Sequence, residues 1–387
     1  MTAWDRRMFV SASAAILAAK LWADESAARP RGNDVWIYIG STATGEGEGI
    51  HVGRWDAKRD AIEDLRLAYA CTQPSFQVTA ITPNGPLLFS GHQPQENKAA
   101  LSSFRVMSNG DLQLVNTIDV EDEPESFVQI ALDETHRVLV SASYRSSKVR
   151  SFKIDPDGHL SKPVSEFILN GSGPNPERQA TSHTHGTVVS PDNKFVLIND
   201  LGTDKIMIYK LDPETGTMEP SNPAYYQARP GSGPRHTTFH PNGRFAYCIN
   251  ELDSTITTMS WDSRTGALHT LDNTRTTTPE VDISKNRAGE VILDKAGKFL
   301  YACNRGGVEE LLVYSVSPDG KLKLASRTPL AGKEARHFAI SPEGGYLVVA
   351  EQSTNVTSLF RRNELTGTLT RTESKYPVNK ASCISFA

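Results

Sequence analysis

The stretch Phe239-His240-Pro241-Asn242-Gly243-Arg244-Phe245-Ala246-Tyr247-Cys248-Ile249 decides the fold. An apolar residue runs into a Pro-Asn-Gly turn, a basic residue follows, and a second stretch is apolar at successive positions. Asn-Gly tolerates the positive φ of a tight hairpin. A strand apolar on both faces is one that neighbours cover on both sides. The peptide therefore reads as two antiparallel strands inside a layered all-β body.

The same pattern returns along the chain. Clear copies are Ile81-Thr82-Pro83-Asn84-Gly85, Val189-Ser190-Pro191-Asp192-Asn193 and Ile340-Ser341-Pro342-Glu343-Gly344, with degenerate ones at Leu132-Asp133-Glu134-Thr135-His136 and Leu293-Asp294-Lys295-Ala296-Gly297. Their third positions stand at 83, 134, 191, 241, 295 and 342, at intervals of 51, 57, 50, 54 and 47 residues. Such a period matches one four-stranded blade per unit, with loops absorbing the variation. Asp155-Pro156-Asp157-Gly158, Asp212-Pro213-Glu214-Thr215-Gly216 and Ser263-Arg264-Thr265-Gly266 mark a later hairpin in each unit.

The ends complete the count. Ser382-Cys383-Ile384-Ser385-Phe386 matches the strand before the turn, and Val35-Trp36-Ile37-Tyr38-Ile39-Gly40 the strand after it. Six internal units and one assembled from both termini predict a seven-bladed β-propeller over residues 35–387. Closure removes the free sheet edges of an open array, and no capping repeats of a solenoid are visible.

Composition narrows the function. The 387 residues are 38% hydrophobic and 22% charged, as in an ordinary globular protein. Their 41 basic and 45 acidic side chains leave a net charge of −4 without a long basic run, which argues against nucleic acid or an anionic membrane as partner. Cys71, Cys248, Cys303 and Cys383 are far apart and lack Cys-x-x-Cys spacing. They read as buried thiols, or at most one disulfide, with no zinc site, attached haem or other cofactor. At the start, Asp5-Arg6-Arg7-Met8-Phe9-Val10 precedes a short alanine-rich run and Ser26-Ala27-Ala28. Residues 1–30 therefore read as a twin-arginine export signal, too short to span a membrane, directing a periplasmic or secreted domain.

Propeller geometry says where chemistry gathers: at the loop entering each innermost strand and the loop after each second strand. Those offsets carry His183-Thr184-His185 with Asp200, Arg235-His236 with Asn250-Glu251, Glu290 with Asn304-Arg305, and Arg336-His337 with Glu351-Gln352. Any one of these is equally well a structural tie. Together they predict one site, because repeated buried charge around a pore needs an anionic ligand or mutual pairing.

The blocks Thr181-Ser182-His183-Thr184-His185, Pro230-Gly231-Ser232-Gly233-Pro234-Arg235-His236, Asn250-Glu251-Leu252 and Asn304-Arg305-Gly306 resemble the seven-bladed β-propeller lactonase family, which includes 6-phosphogluconolactonases and fungal 3-carboxymuconate lactonising enzymes. The resemblance runs over nearly the whole chain after the leader. It implies a site on the channel face with catalytic roles for His185, Arg235, Glu251 and Arg305, and the matching blade offsets add His183, His236, Glu290, Arg336 and His337 as expected contacts of a small lactone or acidic substrate. The chain departs from the family at Ser126-Phe127, Ser143-Tyr144 and Lys333-Glu334-Ala335-Arg336, changes expected to narrow one wall or make it more apolar.

The chemistry expected is metal-free lactone opening. Glu251 or His185 serves as base, Arg235 faces the developing oxyanion, and Arg305 with Arg336 clamps a carboxylate or phosphate. No Gly-x-Ser-x-Gly elbow is present to supply a serine nucleophile. The same groups suit ring closure of the muconate type, and an exported propeller that binds a ligand or protein without catalysis is the other reading.

Overall fold

The computed structural model describes residues 34–44, 48–95, 98–120 and 123–387. The expected export signal lies outside the described residues. Seven four-stranded antiparallel sheets make up the rest. We number the blades one to seven by their innermost strands, which are Phe76–Thr82, Gln129–Leu132, Thr184–Val189, Pro234–Phe239, Asn286–Leu293, Ala335–Ile340 and Ala381–Phe386. Each touches the next, and the seventh touches the first, so the ring closes.

Blade seven takes its innermost strand from the carboxyl end and its other three from the amino end. Ile39 pairs with Ile384 and Ile37 with Phe386. Backbone bonds between Trp36 and Ala387, of 2.8 and 2.9 Å, extend the seam.

The repeated turn has one physical cause in every copy. Its fifth residue has φ of 103° at Gly85, 55° at His136, 60° at Asn193, 68° at Gly243, 67° at Gly297 and 86° at Gly344. In five of these turns the fifth N–H donates to the carbonyl of the second residue, at 2.8–2.9 Å. Only glycine, or a residue that tolerates left-handed backbone, fits this position.

Packing between blades also repeats. Phe245, Tyr247 and Ile249 of blade four meet Val291, Leu300 and Leu312 of blade five in one buried cluster. The Tyr247 hydroxyl donates to Gly320 O at 2.9 Å, Tyr301 to Gly367 O at 3.0 Å, and Tyr38 to Gly110 O at 2.8 Å. Each tie links a second strand to the outer hairpin of the following blade. The buried hydroxyls are thereby satisfied, which a close-packed inter-blade core requires.

The thiols of Cys71, Cys248, Cys303 and Cys383 are all free. Cys71 lies just past the strand Ala61–Tyr69 and is only partly buried.

Candidate active site

The innermost strands aim the site residues by a shared irregularity. In blade three Thr184 pairs with Asp200 and Gly186 with Asn199, which leaves His185 as the extra residue of a β-bulge. The same slip in blade four leaves out Arg235, and in blade six Arg336. In blade five Gly289 and Glu290 fall in the irregular stretch, and in blade seven Ser382 does. A bulge turns its extra side chain out of the pleat. One backbone device thus presents His185, Arg235 and Arg336 at matching height.

Above them lies a cavity of about 400 Å³ lined by Glu125, Val128, Tyr144, Arg178, His185, Glu251, Arg287, Arg305, Glu334 and Arg336. Glu251, just past the second strand of blade four, is its anchor. Oε1 accepts from Arg178 at 2.6 Å and Oε2 from Arg305 at 2.9 Å. Arg235 Nε stands 3.1 Å from the same Oε2 as an ion pair without hydrogen-bonding geometry. Burial alone would raise the Glu251 pKa, but Arg305, Arg235 and Arg178 outweigh it and hold it at about 2.

Arg235 is 1% exposed and does not line the cavity. Its Nη1 donates to Gly289 O at 2.6 Å. Burial, then Arg305 and Arg336, push its pKa down to about 9, which still leaves it cationic at neutral pH. Glu251 lines the cavity and Arg235 pairs with it from outside the lining, so Arg178, Arg287, Arg305 and Arg336 are the guanidiniums that reach the open volume.

Arg305 also approaches Glu334 at 3.5 Å, and Arg287 shares that carboxylate at 3.1 Å. Arg336 is different, for among the described residues it has no hydrogen bond and no ion pair. Burial first, and the Arg305 charge second, lower its pKa. Arg178, Arg287, Arg305 and Arg336 line the cavity with Glu125, Glu251 and Glu334, a surplus of one positive charge. That surplus favours an anionic over a cationic occupant of the cavity.

His185 makes no hydrogen bond among the described residues, and its Nδ1 is buried without a partner. Burial, then the charges of Arg235, His236, Arg336 and Arg305, hold its pKa well below the usual histidine value. It is neutral near pH 7, with Nε2 the nitrogen left to the cavity.

The remaining predicted residues stand behind this lining or away from it. His183 stacks on Tyr144, ring centroids 4.3 Å apart at 5°, and so props the ring that walls the cavity. His236 Nδ1 and Glu290 Oε1 are 2.8 Å apart, both buried below the cavity floor. Expected as substrate contacts, these two do not line the cavity. His337 is likewise displaced. It lines a second cavity of about 530 Å³ with Lys295 and Pro342, from the hairpin turns on the opposite face.

Several polar residues expected near the channel are structural. Asp200 takes bonds from Ser182, His183, Gly202 and Thr203 at 2.6–3.0 Å and clamps its own loop. Asn250 is spent on Thr255 and Thr257, and Asn304 on Thr276 and Glu310. Glu351 is buried, which raises its pKa, and Gln352 donates to Thr42. Phe127 is fully buried and packs on Gly91, so Val128 supplies the apolar wall.

Arg178 escaped the sequence reading. It sits in the loop before His183, six residues upstream of Thr184, where the strand pairing in which the other groups were sought begins. The signal for it is length, since the interval from 134 to 191 is the longest in the repeat.

The chain belongs to the family described as Lactonase, 7-bladed beta-propeller, which matches residues 36–386. A 6-phosphogluconolactonase of Bacillus subtilis is 30% identical over 352 residues, covering 90% of this chain and 97% of the relative. That of Formosa agariphila is 31% identical over 356 residues, covering 90% and 99%. The solved structure of a periplasmic gluconolactonase from Pseudomonas aeruginosa superposes with a TM-score of 0.82 at 27% identity, covering 92% of this chain and 99% of that one.

Proposed function

We propose that this protein is a lactonase that hydrolyses the lactone of a sugar acid. The observation that carries this reading is Arg336, a half-buried guanidinium without a direct ion pair among the described residues, opening on the cavity beside a neutral histidine. Such a pair is suited to hold a developing oxyanion or an acidic substituent while a proton leaves the attacking water. His185 takes that proton at Nε2. Glu251, acidic to about pH 2 and tied to three arginines, is too weak a base for the task. It orients Arg178, Arg235 and Arg305 instead. Arg305 and Arg336 face the carbonyl oxygen and the anionic end of the substrate, and Tyr144 bounds the sugar ring.

The ester C–O bond breaks after water adds. The proton held by His185 passes to the departing ring oxygen, so a hydroxy acid leaves and the imidazole returns to its neutral form. No outside redox partner is needed.

We further propose that residues 1–30 direct export by the twin-arginine route, with 35–387 as the mature propeller. The paired Arg6-Arg7 and the periplasmic relative support this. Outside the cytoplasm an unphosphorylated sugar lactone is the more accessible substrate. The test is acid release from glucono-1,5-lactone and from its 6-phosphate above the spontaneous rate. Turnover of either upholds a lactonase, the ratio of kcat/KM names the preferred form, and no turnover of these or of an aromatic lactone panel overturns the reading.

A further inference from the structure

Outside the cavity lining the structure holds a buried acid–histidine pair. His236 follows the bulged Arg235, and Glu290 lies in the bulge of blade five. The two are 2.8 Å apart, and each is less than a tenth exposed. Glu290 Oε1 is further held by the N–H of Val291 at 3.1 Å.

His236 Nδ1 faces two groups at once. Glu290 Oε1 accepts, and Arg235 Nη1, at 3.0 Å, can only donate. The carboxylate decides the tautomer. A charge-assisted bond at 2.8 Å outweighs a longer contact from a guanidinium nitrogen that already donates to Gly289 O at 2.6 Å. Nδ1 then carries the proton and Nε2 presents a lone pair. That Nε2 is buried with no protein partner.

The neighbouring ring is His185, at 5.1 Å between centroids and 68° between planes. Its Nδ1 is also buried and without a protein partner. Two orphaned imidazole nitrogens on adjacent rings need a donor and an acceptor between them, and one buried water supplies both. We propose that Glu290 and His236 are positioning residues for His185, linked to it through such a water. The order is Glu290 carboxylate, His236 Nδ1–H, His236 Nε2 lone pair, water, His185 Nδ1–H. This fixes the His185 tautomer so that its Nε2 lone pair faces the substrate, and it stabilises the imidazolium formed when that nitrogen takes a proton.

The surrounding charges make the pair necessary. His185 faces Arg235, His236, Arg336 and Arg305, and Glu251 on the cavity side. His236 faces Arg235, Glu290 and His337. Glu290 is the carboxylate that reaches this cluster from beneath, and Glu251 is already committed to arginines.

The inference rests on His185 being the base, and the experiment separates the two claims. The pH dependence of kcat and kcat/KM is measured with glucono-1,5-lactone, or its 6-phosphate if that is the better substrate, for the intact protein and for Glu290→Gln, Glu290→Asp, His236→Gln and His185→Gln. For Glu290→Gln, kcat should fall on the order of tenfold with KM little changed, and the acid limb should move to lower pH, because a negative charge that favours the imidazolium is gone. Glu290→Asp should recover part of the rate and part of the limb. An unmoved limb, or a rise in KM alone, overturns the positioning role while leaving the base intact. Full activity of His185→Gln overturns the base itself. Should the Glu290 and His236 variants not fold, ¹⁵N shifts of His185 in the unmodified protein decide, with the Nδ1–H tautomer expected and the Nε2–H tautomer contradicting the proposal.

Discussion

Glu251 and Arg305, from adjacent blades, meet at 2.9 Å with both side chains 3% exposed. Arg178 and Arg235 approach the same carboxylate. A single acid therefore organises three guanidiniums contributed by three stretches of chain that are remote in sequence. Removing one partner of a buried pair leaves the other uncompensated and costs about 3–5 kcal/mol.

Glu251→Gln follows from that relationship. Turnover should fall by roughly two to three orders of magnitude because the arginines that stabilise the developing charge lose their anchor. The stability effect has a definite sign. The native pKa of Glu251 is depressed to about 2 against an ordinary 4.5. Its contribution is thus fully present above the unfolded value and lost as pH falls from about 4.5 towards 2. Urea unfolding across that window should show a steeper acid loss for the unmodified protein than for Glu251→Gln. Equal slopes would contradict the assignment.

His185→Gln should retain the fold and lose about two to four orders of magnitude in kcat. In the unmodified protein the base is active when neutral, and burial with nearby arginines holds its pKa low. The acid limb of kcat/KM should accordingly lie below the ordinary histidine value of 6.5. A limb above 6.5 in the rate profile would rule out this imidazole as the titrating base.

Arg336→Met tests the surplus charge. With no direct ion pair to break, the variant should unfold no more easily than the parent. KM for an acidic lactone should rise by about tenfold or more, since one charge-assisted contact contributes about 1.5–3 kcal/mol. Arg305→Met, which strips Glu251 and Glu334 of a partner, should by contrast be destabilised. Thermal melts and saturation kinetics of the two variants distinguish the roles.

Two glycine substitutions separate steric from backbone cost. A Cβ on Gly367 would lie 2.4 Å from Phe299, at a φ of 74°, so Gly367→Ala should cost the strain of positive φ plus about 1–3 kcal/mol of overpacking. Gly85→Ala meets nothing within 4 Å and carries only the backbone penalty of φ 103°, on the order of 1 kcal/mol. Unfolding in urea should rank Gly367→Ala as the more damaging, and the reverse order would mean the inter-blade contact yields easily.

Much of the fold is legible in local chemistry. His136 and Asn193 stand where other copies have glycine, and both adopt the same left-handed backbone. Ala381–Phe386 could be matched with Val35–Ser41 because each half of a familiar hairpin lacks its partner nearby. The candidate site is less legible. His185, Glu251, Arg305 and Arg336 line the cavity, but Arg235, His236 and Glu290 lie behind it. A period of fifty residues reports which side chains share a height, whereas depth along the channel depends on which neighbour stands in front.

Sequence alone determined the repeat, the blade count, the closure at the termini and the family, because strand alternation and turn backbone are set by residues a few positions apart. Tertiary structure alone decided that Glu251 is tied to three arginines, that Arg336 has no direct ion pair among the described residues, and that Arg178 joins the site from the loop before His183. Those properties are sums of Coulomb and desolvation effects over groups brought together from distant blades, and no stretch of chain contains all of them.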